Sequence, residues 1–195
     1  MSKVETAGTS VGSARERILA TAGELFYREG IRAVGVDTIV RHSGVTKMTL
    51  YRHFASKDDL VVAYLERAIL NFWSWFDKVM KQHPGSPRQQ IEDYFEALGE
   101  RVVEVQRGCA HLNVKAEFSD PSHPARVLVA HHKEHVRGKL RQLLTEAGAR
   151  HPSRVADQLV VLVNGAHSSN QLYDDFDLSA TLTDAAQALL AGAFE

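Results

Sequence analysis

Within the stretch 47–57, Lys47, Thr49, Tyr51, Arg52, His53 and Lys57 are side chains of the kinds that bind a polyphosphate and read a base edge. Lysine and arginine there release the counterions condensed on a duplex. An arginine fork matches the O6 and N7 acceptors of guanine, and a threonine offers a hydroxyl or meets a thymine methyl. If this stretch is helical, with 100° between successive residues and Leu50 turned inward, Met48 and Arg52 point furthest from the core. Thr49 and Tyr51 then flank them. Arg52 is expected to read bases and Lys47 to reach a base or a phosphate. Tyr51, His53 and Lys57 are expected to hold phosphates, which fix register without reading sequence.

Such residues need a rigid support, and the flanking sequence supplies one. Ser13 with Glu16 forms a capping box, followed by Ile18, Leu19, Ala22, Leu25 and Phe26 at helical spacing and Gly30 at the expected left-handed stop. A shorter helix is expected from Val36 to Ser43, with Val36, Ile39 and Val40 inward. The turn Ser43-Gly44-Val45 leads into a third helix beginning at Thr46 and carrying Leu50 and Phe54. Two short helices joined by a tight turn are a helix-turn-helix, whose second element lies in the major groove. Ser56 caps a fourth helix whose first turn holds Asp58 and Asp59, where the helix dipole favours carboxylates.

Charge is distributed accordingly. The chain has 195 residues, with 23 Lys and Arg against 24 Asp and Glu, a formal net charge of -1. That excludes a uniformly basic coat protein. Up to Lys57, however, the basic residues are Lys3, Arg15, Arg17, Arg28, Arg32, Arg41, Lys47, Arg52 and Lys57, against the acidic Glu5, Glu16, Glu24, Glu29 and Asp37. This part carries +4 and the remainder -5, as expected where one end alone meets nucleic acid.

A hydrophobic share of 44% is enough for a real core, and 13 Gly with 5 Pro are too few for a low-complexity chain. One cysteine, Cys109, excludes an internal disulfide framework, and no apolar run approaches the ~20 residues that cross a bilayer. A cytoplasmic protein with no membrane partner is expected. Residues 1–12 read as a disordered N-terminal arm.

The run from Gly44 to Leu60, Gly-Val-Thr-Lys-Met-Thr-Leu-Tyr-Arg-His-Phe-Ala-Ser-Lys-Asp-Asp-Leu, resembles the signature of the TetR (tetracycline-repressor-like) family of transcriptional regulators. Ile18-Leu19, Phe26, Gly30 and Ile39 fit its first two helices, so the resemblance covers about residues 13–62. It implies DNA contacts at Thr46, Lys47, Met48, Thr49, Tyr51, Arg52, His53 and Lys57. Val34-Gly35 stands where the family usually has a Ser or Thr cap, so a hydroxyl contact to phosphate is lost there. An all-α fold is expected, and the punctuation of the chain gives about nine helices. A helix-turn-helix DNA-binding domain at 13–58 would join a ligand-binding and dimerisation domain at 59–195. The expected function is a homodimeric repressor released from a palindromic operator on double-stranded DNA by an unknown small-molecule effector.

The apolar spacing supports a helical body. Val61, Leu65, Ala68, Phe72, Phe76 and Val79 continue the fourth helix to the break at His83-Pro84-Gly85. Ser86-Pro87-Arg88-Gln89 repeats a capping box and opens a helix to about Val105. Further helices are expected at about Ala110 to Phe118, Pro124 to Ala147, Pro152 to Tyr173 and Leu178 to Phe194. The last two, with Val155, Leu159, Leu162, Val163 and Ala166 on one stripe, suit a four-helix interface between two chains; packing within one chain is the alternative. Expected contributors to an effector pocket are Trp73, Phe76, Phe95, His111, Asn113, His167 and Asn170, because pockets pair apolar walls with few polar anchors.

His131, His132 and His135 place two imidazoles at i, i+4, a metal-ligand spacing. Their neighbours Lys133, Glu134, Arg137 and Lys139 favour a solvated helix face instead. Cys109 beside Arg107 is a candidate redox sensor, with a plain core thiol as the bland reading. The alternatives are a metal- or His/Glu-dependent enzyme and a regulator without a natural inducer. Neither a catalytic residue, a metal site nor a cofactor is expected.

Overall fold

The structure, a computed structural model, describes residues 12–104, 107–169, 172 and 177–195. Among these are nine α-helices and no strand: α1 (Ala14–Glu29), α2 (Val36–Ser43), α3 (Lys47–His53), α4 (Lys57–Met80), α5 (Pro87–Glu104), α6 (Ala110–Glu117), α7 (Pro124–Glu146), α8 (Pro152–Ser169) and α9 (Leu178–Phe194). Of the expected arm, residues 1–11 lie outside the described residues, as does Tyr173 at the expected end of α8.

The chain divides into two units between Tyr64 and Leu65, within α4. This lies beyond the boundary expected at residue 58, because Leu60 and Val61 on the first turns of α4 are buried and Tyr64 packs edge-on against Phe26 of α1. In the first unit, α1, α2 and α3 pack on one another around Ile18, Ala22, Ile39 and Leu50, all fully buried. The caps follow the sequence. Ser13 Oγ accepts from the Glu16 amide at 3.2 Å, Thr46 Oγ1 from Thr49 at 3.1 Å and Ser56 Oγ from Asp59 at 3.0 Å. Gly44 ends α2 at φ 65°, ψ 30°, a left-handed conformation that costs glycine nothing. Gly30 differs from expectation. Its φ of 95° is positive but its ψ of 147° is extended, so the chain leaves α1 without a left-handed turn.

In the second unit α5 packs against α7 and α9, α8 lies between α7 and α9, and α6 rests on α7. The core gathers Phe76, Tyr94, Phe95, Leu98, Leu140, Leu144, Leu159, Leu182 and Leu190. At the start of α5, Gln89, expected to reach back as half of a capping box, instead donates to Asp93 Oδ1 at 3.1 Å, and His83 pairs with the other oxygen of Asp93. A buried carboxylate holding two partners outcompetes a cap already served by Pro87, which has no N–H to satisfy.

At Gly99, α5 lies close against α9. A Cβ there would lie 2.6 Å from Thr183 Oγ1 and 3.1 Å from the Ser179 carbonyl oxygen. Alanine improves helix propensity by ~1 kcal/mol, but overpacking costs ~1–3 kcal/mol. The backbone carbonyl cannot rotate aside. Gly99→Ala is therefore expected to lower stability by up to about 2 kcal/mol, read from urea denaturation; a raised midpoint would show that α9 shifts freely.

Candidate functional site

The short α3 exists because Thr46 caps it and Leu50 anchors it. Leu50 is 0% exposed, and the opposite face is bare: Met48 is 81% exposed, and Tyr51, Arg52 and His53 are exposed. Thr46 and Lys47 are also exposed, whereas Thr49 and Lys57 are half-buried. All the residues expected to touch DNA thus fall in one 12-residue stretch whose outward face is cationic and polar. Thr49 Oγ1 and Thr46 Oγ1 share a hydrogen bond of 2.8 Å, which orients the Thr49 hydroxyl at the N-terminal end of α3. Lys57, at the start of α4, holds its ammonium over the Phe26 ring, with Nζ 5.9 Å from the ring centre, a cation–π contact. At Gly35, the N-cap of α2, there is no side-chain hydrogen bond, consistent with the missing hydroxyl noted in the sequence.

Sequence reasoning missed Asp37. Its carboxylate on α2 lies 2.9 Å from Lys47 Nζ, and this pair raises the lysine pKa, chiefly through the hydrogen bond. A carboxylate paired with a lysine that is expected to meet DNA competes for its ammonium and repels the duplex. Asp37→Asn is expected to tighten binding to non-specific duplex DNA a few-fold at low salt, with the gain fading as salt rises. Fluorescence anisotropy across a salt series checks this, and equal or weaker binding at low salt would contradict it.

In the second unit, the expected pocket residues are dispersed in role. Trp73 and Phe76 of α4 pack edge to face at 5.3 Å and together line a cleft of about 420 Å³ that also touches Asp77, Met80, His135 and Leu143. Phe95 does not join them; it is buried in the core against Tyr94. Asn113 is used locally, its amide donating to the Arg107 carbonyl oxygen at 3.0 Å. Asn170 lies outside the described residues.

His111 leads to a group that the sequence did not reveal. Its ring lies 4.5 Å from that of His132, which in turn meets Phe72 at 5.0 Å and Trp73 at 5.8 Å. His132 is only 5% exposed, so the trio His131, His132 and His135 is not one solvated face. His131 and His135 are exposed, with His135 stacked obliquely on Trp73 at 4.3 Å, while His132 turns into the protein. His111 Nε2, His132 Nδ1 and His167 Nδ1 are all buried without a hydrogen-bond partner. An unpaired buried polar group costs about 1–3 kcal/mol, so three of them in one unit call for a reason.

Burial pushes all three imidazole pKa values down, to about 4 for His111, about 3 for His132 and about 4 for His167. The Lys133 ammonium adds to the fall in each case. All three rings are therefore neutral near pH 7. Cys109, half-buried at the N-cap of α6, has its Sγ 3.7 Å from His111 Nδ1. Among the described residues no group of three or more His, Cys, Asp or Glu is arranged to hold a metal ion. No described helix is long and apolar enough to cross a membrane.

Comparison with known proteins bears on both units. Residues 18–64 match the family described as bacterial regulatory proteins, tetR family. Over most of the chain, the structure resembles that of SCO4454, a TetR-family transcriptional regulator from Streptomyces coelicolor. The two are 33% identical with a TM-score of 0.89, covering 93% of this chain and 96% of that one. The HTH-type transcriptional activator FasR of Mycolicibacterium smegmatis is 30% identical over 116 residues, which is 60% of this chain and 52% of FasR, so the match spans about half of that relative's length. The HTH-type transcriptional repressor NemR of Escherichia coli is 24% identical over 172 residues, 84% of this chain and 86% of NemR.

Proposed function

From the premise that the chain belongs to the TetR family of transcriptional regulators, we propose that it is a homodimeric repressor that binds a palindromic operator and leaves it when a small molecule binds the second unit. The observation that carries this is α3. It is a capped, singly anchored helix with Met48, Tyr51 and Arg52 turned outward, on the part of the chain that holds the positive charge. In this reading Arg52, Lys47 and Met48 face the bases, while Thr46, Thr49, Tyr51, His53 and Lys57 hold the phosphates on either side.

Dimerisation brings a second α3 to the next turn of the same groove, about 34–36 Å away, and so makes the operator a palindrome. The stripe Val155, Leu159 and Ala166 is used inside the chain, buried against its own core. A second copy would instead meet the other face of α8, where Val161 is 71% exposed and Gly165 and Ser168 follow on the same side. On α9 it would meet the exposed Ala188, Ala191 and Gly192. Small residues on both helices favour close packing of helix on helix.

The second unit supplies a cleft and an interior polar cluster for an effector, and α4 contributes residues to both units. An effector acts only through a difference in affinity between two states of the protein. Relatives and structural neighbours of this chain are regulators rather than enzymes.

Selection of bound duplexes from a random library tests the reading. The expected result is enrichment of a two-fold symmetric site bound by two chains, followed by loss of the complex when a chemically mixed library of small molecules is added. Enrichment of an asymmetric site bound by one chain would overturn the dimeric reading. A palindrome that no compound releases would leave a regulator without an inducer.

A further inference from the structure

Three imidazoles from three helices, His111 of α6, His132 of α7 and His167 of α8, each bring a buried ring nitrogen with no partner into the second unit. His111 and His132 are more than nine-tenths buried and in ring contact at 4.5 Å. His111 also acts electrostatically on His167. The thiol of Cys109 meets His111 Nδ1 at 3.7 Å. When that thiol donates to Nδ1, the ring proton sits on Nε2, and the unpartnered atom is a donor awaiting an acceptor.

Among the described residues, the charged groups that act on these rings are cationic. Lys133 acts on all three, and its ammonium is held 3.2 Å from Asn164 Oδ1; Arg101 acts on His167 as well. No described carboxylate is among the groups acting on the three rings. A metal cation would gain from neutral imidazoles, but it would be repelled by Lys133 and Arg101, and the described donors are not arranged around a common centre. An anion fits on every count. Its oxygens accept from the His111 N–H and, in the tautomer with the proton on Nδ1, from those of His132 and His167, and the two cations stabilise its charge in a medium that screens poorly. The edges of Phe72 and Trp73 against His132 add an apolar wall beside the polar group.

We infer that the second unit recognises a small organic anion, a carboxylate attached to an apolar or aromatic group, through N–H donors of His111, His132 and His167 with Lys133 as the counter-charge. This names the chemical class of the effector and rests on the reading of the second unit as the effector-binding part. Because α6 rests chiefly on α7, an anion bound by both His111 and His132 acts on the contact that holds α6 in place.

The test uses the full chain at pH 7 and follows the ring-nitrogen NMR signals of its histidines. The probes are acetate, hexanoate, benzoate and phenylacetate, with benzamide and benzylamine as the neutral and cationic counterparts of benzoate, and Zn²⁺ as the metal. At least one carboxylate is expected to move the signals of His111, His132 and His167 together. Its neutral and cationic counterparts are expected to bind at least about tenfold more weakly. Lys133→Met and His167→Gln should each weaken that carboxylate by about tenfold or more; if His167→Gln does not fold, Lys133→Met, at a half-buried site, carries the comparison.

No response to any of the four carboxylates overturns the inference, as does equal binding of benzamide or stoichiometric Zn²⁺ held by these rings. Release of the selected operator is measured in parallel. A neutral or cationic compound that releases operator while the three ring signals stay still overturns the anion site and leaves the effector reading standing. A carboxylate that moves the rings without releasing operator upholds the site and removes the effector reading.

Discussion

Arg52→Ala is expected to lower affinity for the selected operator by about two to four orders of magnitude at fixed salt, and to relax the base preference at one position in each half-site. The size follows from ~1–3 kcal/mol for one bidentate arginine–guanine pair, doubled because the proposed dimer would carry the change twice. Arg52 lies on the bare face of α3, opposite the fully buried Leu50, so the substitution removes no core contact and fold stability should be unchanged. The informative control is Lys57→Ala. As a phosphate contact it should weaken binding to all sequences alike and reduce the salt dependence by about one counterion per chain. If Arg52→Ala instead weakened all duplexes equally and left base preference intact, Arg52 would be a phosphate contact and the rotation of α3 in the groove would be different. Tyr51→Ala separates the same alternatives from the other flank of the helix. It should reduce affinity without altering which base is preferred.

Legibility from sequence follows the range of the interactions that decide each feature. The first unit is built from local devices, and local devices are visible in sequence. Ser13 and Ser56 cap the helices that follow, as read from sequence, and Thr46, read as the first residue of the third helix, caps it in the same way through an amide three residues on. Gly44 supplies the turn, and a 100° wheel places Leu50 and Met48 on opposite faces, as the structure has them. Gly30 was legible as a stop but not in its conformation, since ψ there depends on how the loop to α2 lies and not on glycine itself.

The second unit is decided by packing between distant segments, and that is where sequence reading was incomplete. His132 sits among Lys133, Glu134 and Arg137, so its neighbours in sequence suggest solvent. It is buried because Phe72 and Trp73, some sixty positions earlier, and His111 cover it. Asp37 was equally invisible as a partner of Lys47, because an ion pair between α2 and α3 has no signature in either helix alone. The α8 stripe was found, but periodicity shows only that a face is apolar, not whether the same chain or another covers it. Here Val155, Leu159 and Ala166 are covered by their own core.

The buried histidines make acid the sharpest threat to the second unit. Arg101 of α5, Cys109 and His111 at α6, Lys133 and His135 of α7 and His167 of α8 are the titratable and charged groups that face or act on one another there, with Phe72 and Trp73 of α4 packed alongside. In the unfolded chain these imidazoles take up protons below about pH 6.5, whereas in the folded protein His111 and His167 resist until about pH 4 and His132 until about pH 3. The folded pKa values lie below the unfolded ones, so the unfolded state binds more protons throughout this window. Stability is therefore greatest above pH 6.5 and is lost as pH falls from there towards 4. Each ring contributes about 2 kcal/mol of loss by pH 5. Carboxylates with lowered pKa values, Asp120 beside Ser122 and Asp157 beside Arg137, act in the same direction, but only below about pH 4, and so do not enter this window. Thermal melts between pH 7.5 and 4.5 are expected to show a steep fall below pH 6.5. His132→Phe, which keeps the edge contacts with Phe72 and Trp73 but cannot titrate, should make the fall shallower by about one proton. Lys133→Met should leave the onset near pH 6.5 but make the total loss smaller, because the folded rings then accept protons at higher pH and the fall ends sooner. A melt that is flat down to pH 5, or a His132→Phe profile parallel to that of the parent, would show that these rings reach solvent or find partners once protonated.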